Sequence, residues 1–412
     1  MNLPIILPKD LTGPHANPVA AFVESYIRLT QGQGYRAATL RGHLYLIADF
    51  GRWLTRTHHG FRDIDERVLK RFLRCRFGNN PPARSARSVL RRLLGMIRLA
   101  DVASAEKPVT PNPAESLIDK YRRYLLDELG LAPSTVVGYQ WYVRKFMVRQ
   151  YGGGPVKLRR LQLQDAIRFI REVGREHHGP RHTQLLVAAL RSFVRFLYHH
   201  GEIGRDFAPA IPNVPHWTLA GLPKYISAEA VQRVLDQCER QTPLGRRNYA
   251  MLLLLARLGL RGGEVLRLNL EDIDWEAAQI TIRATKGPGW TRLPLPPDAA
   301  KAIAAYLRRD RPSCESRRVF LRAHAPHRGL LANSAIQLAV RTGMKRAGVT
   351  APRMGGHLFR HSLATTMLKQ GASLENIGQL LRHRSLNTTA LYAKVDLNAL
   401  RPLALSWPGG VR

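Results

Sequence analysis

The sequence is short of acid, of cysteine and of long apolar runs, and each shortage removes a class of function. Asp and Glu number 30 against 64 Lys and Arg, a formal charge of +34 over 412 residues. No GxxxxGK[ST] loop is present, and no carboxylate cluster of the kind a two-metal nuclease needs, so neither nucleotide-driven nor two-metal phosphate chemistry is indicated. The three cysteines, Cys75, Cys238 and Cys314, are far apart and form no CxxC pair. That excludes a disulfide framework and fits a reducing compartment. Histidines occur as adjacent pairs, at 58–59, 177–178 and 199–200; neighbouring side chains diverge, so these are poor chelates and no metal is expected. The apolar run at Met251–Leu255 is far below a membrane span, and the opening MNLPIILPKD is too short for a signal peptide. The expected site of action is therefore the cytoplasm of a cell without a nucleus, with no membrane partner.

What is abundant is arginine. An excess of +34 calls for a polyanionic partner, and nucleic acid is the leading candidate, with a ribosomal or membrane-surface role as the rival. Arginine grips phosphate oxygens through two parallel hydrogen bonds.

Taken in order, residues 1–17 are proline-rich and irregular. Residues 18–105 carry apolar residues at three- and four-residue spacing in four stretches, which predicts four helices. Between Arg41 and Arg98 there are 14 Lys or Arg against four acids, so this module is strongly basic. The stretch 103–114 has three prolines and reads as a linker. Residues 115–207 then repeat the plan, with Thr135 against Thr39, Phe146 against Phe50, Phe169 against Phe72, and Leu190–Arg191 against Leu90–Arg91. The repeat is read as two copies of one four-helix module; the rival reading is chance likeness between two basic amphipathic bundles. A second proline-rich linker, with Pro209, Pro212 and Pro215, leads to a helix capped by Ser227. The helix LGRRNYAMLLLLARLGL is apolar on nearly all sides and should be buried. Gly262–Gly263 is expected to allow a tight turn after it. QITIRA and WTRLPLP predict a β-hairpin whose tip begins at Lys286, and RVFLRA a third short strand.

The last stretch, His357 to Tyr392, concentrates chemistry. His357 and Arg360 sit three apart at the head of an apolar-periodic run, so on a helix they share a side. His383 and Tyr392 follow. Imidazoles, a guanidinium and a phenol suit a phosphodiester, with fixed donors for its oxygens and a hydroxyl to attack phosphorus. Each residue taken alone has a bland alternative, a solvated helix face for HxxR and a core position for the tyrosine.

At this point the C-terminal half resembles the tyrosine recombinases, the phage-integrase type of site-specific recombinase. LGLRGGEVLRLNLEDID resembles the box of the first arginine, giving Arg261 and its supporting acid Glu264. TKGPGWTRLPLP resembles the lysine hairpin, giving Lys286. HLFRHSLAT is the HxxR box, giving His357 and Arg360. GQLLRHRSLNTTALYAKV resembles the box of the second histidine, His383, and the nucleophile, Tyr392. One departure is Gly262–Gly263, where many relatives have larger residues; it should alter local stiffness rather than activity.

The resemblance implies a mainly α protein. Helical DNA-binding modules precede a tyrosine-recombinase catalytic domain, itself α-helical with a small antiparallel β-sheet. It places a core-binding (SAM-like) domain at 115–207, the catalytic domain at 222–396 and a tail at 397–412, and leaves 18–105 as an additional module. The implied reaction joins Tyr392 to a DNA 3′ phosphate and frees a 5′ hydroxyl, so rejoining needs no ATP and no cofactor. Arg261 and Arg360 would hold the nonbridging oxygens, with His383 as a further donor. His357 would act as base and Lys286 as general acid. Tyr139, Lys145, Arg181, Arg191, Arg283 and Arg292 are candidate DNA contacts.

The expected partners are double-stranded DNA at specific sites, and a homo- or hetero-tetramer spanning two sites, with other recombinases of one element as possible companions. The ending KVDLNALRPLALSWPGG is similar to integrases of bacterial mobile elements. Integration, excision or resolution of such an element, in the nucleoid, is the implied role. A DNA-binding accessory protein, a type IB topoisomerase-like enzyme or a telomere resolvase are the alternatives. For 18–105 the choice lies between a second DNA-binding unit and a protein-contact unit.

Overall fold

The computed structural model describes residues 8, 11, 18–60, 63–78, 80, 84–100, 113–152, 154–176, 180–214, 223–283, 289–383 and 385–394. The chain divides into two compact units, one of residues 106–220 and one of residues 1–105 with 221–412. Both breaks fall in or beside the proline-rich linkers.

In the larger unit, a short 3-10 turn leads into α1 (Val23–Gly32), α2 (Ala37–Arg56), α3 (Glu66–Phe77) and α4 (Arg84–Leu99). Their apolar stripes close one core around Tyr26, Phe50, Trp53, Phe72 and Leu90. Asp65 starts α3 by accepting from the Arg67 and Val68 amides, as a good N-cap does. The backbone amide of His327 donates to the Gln33 carbonyl at 2.9 Å. The neighbouring Gly34 has φ +81°, and a Cβ there would strike the His327 ring; only glycine suits both demands.

The smaller unit holds α5 (Pro113–Arg123), a π-helical turn at Tyr124–Glu128, α6 (Pro133–Tyr151), α7 (Leu163–Glu176) and α8 (Pro180–His199). Its core gathers Tyr121, Phe146, Phe169, Phe193 and Phe196.

The rest of the larger unit runs α9 (Ala228–Asp236), α10 (Pro243–Leu258), α11 (Gly262–Arg267), β1 (Ile273–Asp274), β2 (Gln279–Arg283), β3 (Trp290–Pro294), α12 (Pro297–Arg309), α13 (Ser334–Arg346), α14 (Gly356–Lys369), α15 (Leu374–Leu381) and α16 (Leu386–Ala393). α10 is the hub, with Ala250 to Ala256 all buried and α12, α13 and α14 packed around it. An all-round apolar helix has no other stable place. The strands form an antiparallel sheet in the order β1-β2-β3, with Ile280 opposite Leu293 on the buried face.

Two expectations are corrected. The third strand is Ile273–Asp274, not RVFLRA, where only isolated bridges Asn269–Arg318 and Leu321–Gly329 form. The reason is competition for backbone groups. Arg247 donates to the Leu321 carbonyl at 2.7 Å, and the Leu321 amide donates to the Tyr306 hydroxyl at 3.2 Å. Nor does Gly262–Gly263 make the turn after α10. Those two residues open α11, and the left-handed position is Gly259, φ +55°, where a side chain would collide with Leu381.

Candidate active site

The site is assembled at the end of α10. Gly259 turns the chain so that Arg261 becomes the N-cap of α11 and Glu264 its third residue. A carboxylate there reaches back to the free amides of the helix start. Glu264 accepts from the Arg261 amide at 2.8 Å and from Arg261 Nη1 at 2.9 Å. It also accepts from Arg382 Nη2 at 2.9 Å. Burial by itself would raise the Glu264 pKa, but Arg382 and then Arg261 hold the carboxyl below its ordinary value.

Arg360 is carried by α14 and is 3% exposed. Its Nη1 donates to the Gly259 carbonyl at 2.5 Å, and its Nη2 donates to the Leu381 carbonyl. These bonds tie it to the ends of α10 and α15 and fix the guanidinium plane. Burial, then Arg261 and Arg382, push its pKa down to about 10, so it stays cationic at neutral pH.

α15 starts at Ser373, whose hydroxyl accepts from the Asn376 amide, and ends at Arg382 in the left-handed region, φ +55°. That reversal presents His383. The short helix α16 follows, and Thr389 and Tyr392, three apart, both point inward at 1% exposure. His383 Nδ1 lies 2.7 Å from Thr389 Oγ1. The His383 and Tyr392 rings are parallel, with centroids 6.4 Å apart. On the other side, Nδ1 of His361 lies 2.8 Å from the Tyr392 hydroxyl. The phenol is thus held between two imidazoles.

Burial, then His357 and Arg360, push His361 down to about 4. Burial, then Arg360 and Arg261, push His383 to about 4 as well. Both rings are neutral at physiological pH. Burial pushes the Tyr392 phenol up to about 12, against the pull of Arg360. The hydroxyl is therefore protonated at rest, with a neutral ring nitrogen at hydrogen-bond distance.

Of the residues singled out from the sequence, Arg261, Glu264, Arg360, His383 and Tyr392 come together. His357 lies one turn before His361, exposed, with ring centroids 6.3 Å apart. Lys286 lies outside the described residues; β2 and β3, which lead to it, are paired as expected. Arg283 pairs with Asp272 at 3.0 Å, and Arg292 lies over the Trp290 ring at 5.1 Å. In the smaller unit Tyr139 is half-buried and Arg181 exposed. Lys145 pairs with Glu176 at 2.6 Å. Arg191 donates to the Ile211 carbonyl and to Asn213, so it anchors the chain leaving α8.

Three contributors were passed over in the sequence, namely His361, Arg382 and Thr389. His361 stood beside Arg360 and one helical turn from His357, which was a signal. Arg382 and Thr389 act only through contacts that folding creates.

The phage integrase family matches residues 224–398, and the N-terminal SAM-like domain of phage integrases matches residues 118–201. The integrase/recombinase y4rA of Sinorhizobium fredii is 40% identical over 402 residues, 97% of either chain. The chain belongs to the phage integrase family. The tyrosine recombinase XerA of Thermococcus onnurineus is 32% identical over 69% of this integrase and 93% of its own length. The fold is that of the crystal structure of the XerH site-specific recombinase bound to palindromic difH substrate, a post-cleavage complex. The TM-score is 0.55 and the identity 17%, over 81% of this chain and 93% of that one. Among the described residues of the integrase, no helix is long and apolar enough to cross a membrane.

Proposed function

We propose that this integrase cuts and rejoins DNA at specific sites by attack of Tyr392 on a backbone phosphodiester. The observation that carries this reading is the buried Tyr392 hydroxyl, 2.8 Å from a neutral imidazole nitrogen and close enough to Arg360 to feel its charge, with Arg261 near enough to Arg360 to act on it in turn. The phenolic oxygen bonds to phosphorus while its proton passes to Nδ1 of His361. The bond from phosphorus to the 5′ oxygen breaks, and that oxygen takes a proton from Lys286. The products are a 3′-phosphotyrosine and a free 5′ hydroxyl, and reversal against a new 5′ hydroxyl reseals the strand. Arg261 and Arg360 stabilise the charge that builds on the nonbridging oxygens, and a preset guanidinium does this better than water. His361 replaces His357 as the proposed proton acceptor, because it is the imidazole within hydrogen-bond reach of the nucleophile.

The wider role is integration, excision or resolution of a bacterial mobile element, by four protomers on two sites, alone or beside related recombinases, in the nucleoid. Likeness to proteins named integrase/recombinase and tyrosine recombinase supports it.

The test is covalent trapping. Wild type and Tyr392→Phe are incubated with supercoiled DNA from the protein's own genomic neighbourhood, without metal, and then denatured. A 3′-linked adduct is expected in wild type alone. An adduct that persists in Tyr392→Phe, or none in either protein, overturns the reading.

A further inference from the structure

The two four-helix sets repeat one core pattern and differ on one surface. In α4, Ala86, Val89, Leu90, Leu93, Leu94 and Ile97 are buried. With Leu90 laid on Leu190, every one of these positions falls on a buried residue of α8, from Leu186 to Leu197. The aromatic contact beneath is repeated as well. Phe50 meets Phe72 edge-on at 5.1 Å between centroids, and Phe146 meets Phe169 edge-on at 5.1 Å. Matching order, buried register and aromatic geometry are not what two unrelated basic bundles would share.

The surface above α3 and α4 departs from this agreement. Val187 is buried, whereas its counterpart Arg87 is exposed. Arg191 is occupied by the Ile211 carbonyl and Asn213. Its counterpart Arg91 lies at the rim of a cavity of about 320 Å³, which is also lined by Lys70, Arg74, Arg87 and Glu66. Arg91 pairs with Glu66 at 2.9 Å. Among the described lining residues Glu66 is the one carboxylate, set against four cations, which leaves Lys70, Arg74 and Arg87 in excess. A cavity with that balance favours a ligand carrying several closely spaced negative charges. A nucleic-acid strand offers one about every 3.4 Å, and arginine forks match phosphate geometry.

We propose that α1–α4 is a second copy of the module formed by α5–α8, and that its cavity between α3 and α4 grips the backbone phosphates of duplex DNA. The proposal rests on the reading of DNA as substrate. It adds a grip outside the segments matched to the family and so a longer bound site.

The test uses the full-length chain and a 40-bp duplex of arbitrary sequence, with affinity measured across a salt series. Lys70→Glu/Arg74→Glu/Arg87→Glu reverses three exposed charges and leaves the Arg91–Glu66 pair intact. A control, Lys301→Glu/Arg308→Glu/Arg309→Glu, makes the same charge change on the exposed side of α12. Each lost phosphate contact should flatten the slope of log K against log salt by about 0.9. The cavity variant should therefore lose about two to three units of slope and the control less than about one. Circular dichroism melts of both variants should match wild type. Equal slopes for wild type and the cavity variant, or equal losses in both variants, would overturn the proposal. So would a change in oligomer size by sedimentation without a change in slope, which would mark a protein contact instead. The Tyr392 adduct is scored separately. Its absence in wild type sinks the recombinase reading, whereas an unchanged slope with the adduct present sinks only this one.

Discussion

Glu264→Ala should be the most informative single perturbation of the site. The carboxylate side chain is 3% exposed and takes three donors, from the Arg261 amide, Arg261 Nη1 and Arg382 Nη2. Its removal leaves the Arg382 guanidinium, 11% exposed, beside Arg261 with no other acid acting on it among the described residues. Breaking a buried pair by removing one partner costs about 3–5 kcal/mol. Arg261, at 36% exposure, can turn toward solvent, so the lower end of that range applies, about 3 kcal/mol. In a unit of this size each kcal/mol moves Tm by about 2–4 °C, so a drop of about 6–12 °C is expected. Glu264→Gln should fall between, since it keeps the volume but sets an amide against a guanidinium.

The pH dependence supplies a second reading of the same group. A carboxyl whose folded pKa is lowered contributes stability that is present above its unfolded value, about 4.3, and lost as pH falls through the folded value. The gap between wild type and Glu264→Gln should therefore be full at pH 7 and shrink below about pH 4. Adduct formation by Glu264→Ala should also slow by about a hundredfold, because Arg261 loses its orienting partner. Thermal unfolding by circular dichroism and a gel assay for the adduct check both. A variant that melts within about 1 °C of wild type at neutral pH would refute the buried-pair argument.

The other predictions concern the nucleophile, the arginine and the cores. His361→Ala should slow adduct formation by about 10²–10⁴ with DNA affinity unchanged, and His357→Ala should cost much less; single-turnover cleavage separates them. His361 and His383 are held near 4 in the folded chain against about 6.5 when unfolded, so the unfolded chain takes up protons first. Their contribution is full above about pH 6.5 and is lost as pH falls toward 4, so the urea midpoint should drop over that window, and less steeply in His361→Gln. Arg360→Lys cannot span the Gly259 and Leu381 carbonyls as a fork does, and should lower the cleavage rate by about 10²–10³. Phe72→Ala and Phe169→Ala should each destabilise their own module by about 3–5 kcal/mol, to a similar extent in denaturant melts, if the cores are copies.

Much of this was legible in the residues themselves. The three- and four-residue spacing carried the helices, because burying a stripe is what makes an amphipathic segment stable. The β-branched run QITIRA carried the hairpin for the same reason at a spacing of two. The candidate site came from the resemblance of the boxes around Arg261, Arg360, His383 and Tyr392 to those of the tyrosine recombinases, and the fold brings these residues close together. What could not be read was which imidazole would meet the phenol. His357 and His361 lie one turn apart on α14, and the choice between them is made by how α16 packs, a contact between segments about thirty residues apart. The RVFLRA segment failed as a strand because Arg247 and Tyr306, distant in the chain, claimed its backbone groups. Gly262–Gly263 drew attention away from Gly259, the residue whose left-handed backbone makes the turn.

The two helical modules, proposed above to be copies of one core, would carry a folding hazard that a lone copy does not. Helices from one copy can dock on the other while both are incomplete, the usual misassembly of repeated domains. The integrase differs between copies at the position where such an exchange would matter. Trp53 of α2 is buried and packs against both Phe50 and Phe72. Its counterpart on α6 is Arg149, half-exposed and paired with Glu172 and Glu176. An exchanged α6 would bring a guanidinium against the ring of Phe72 without its acids, and an exchanged α2 would set an indole among carboxylates. Both wrong pairings lose solvation or burial that the right ones keep. On that proposal, the difference between Trp53 and Arg149 would favour docking of each helix on its own module.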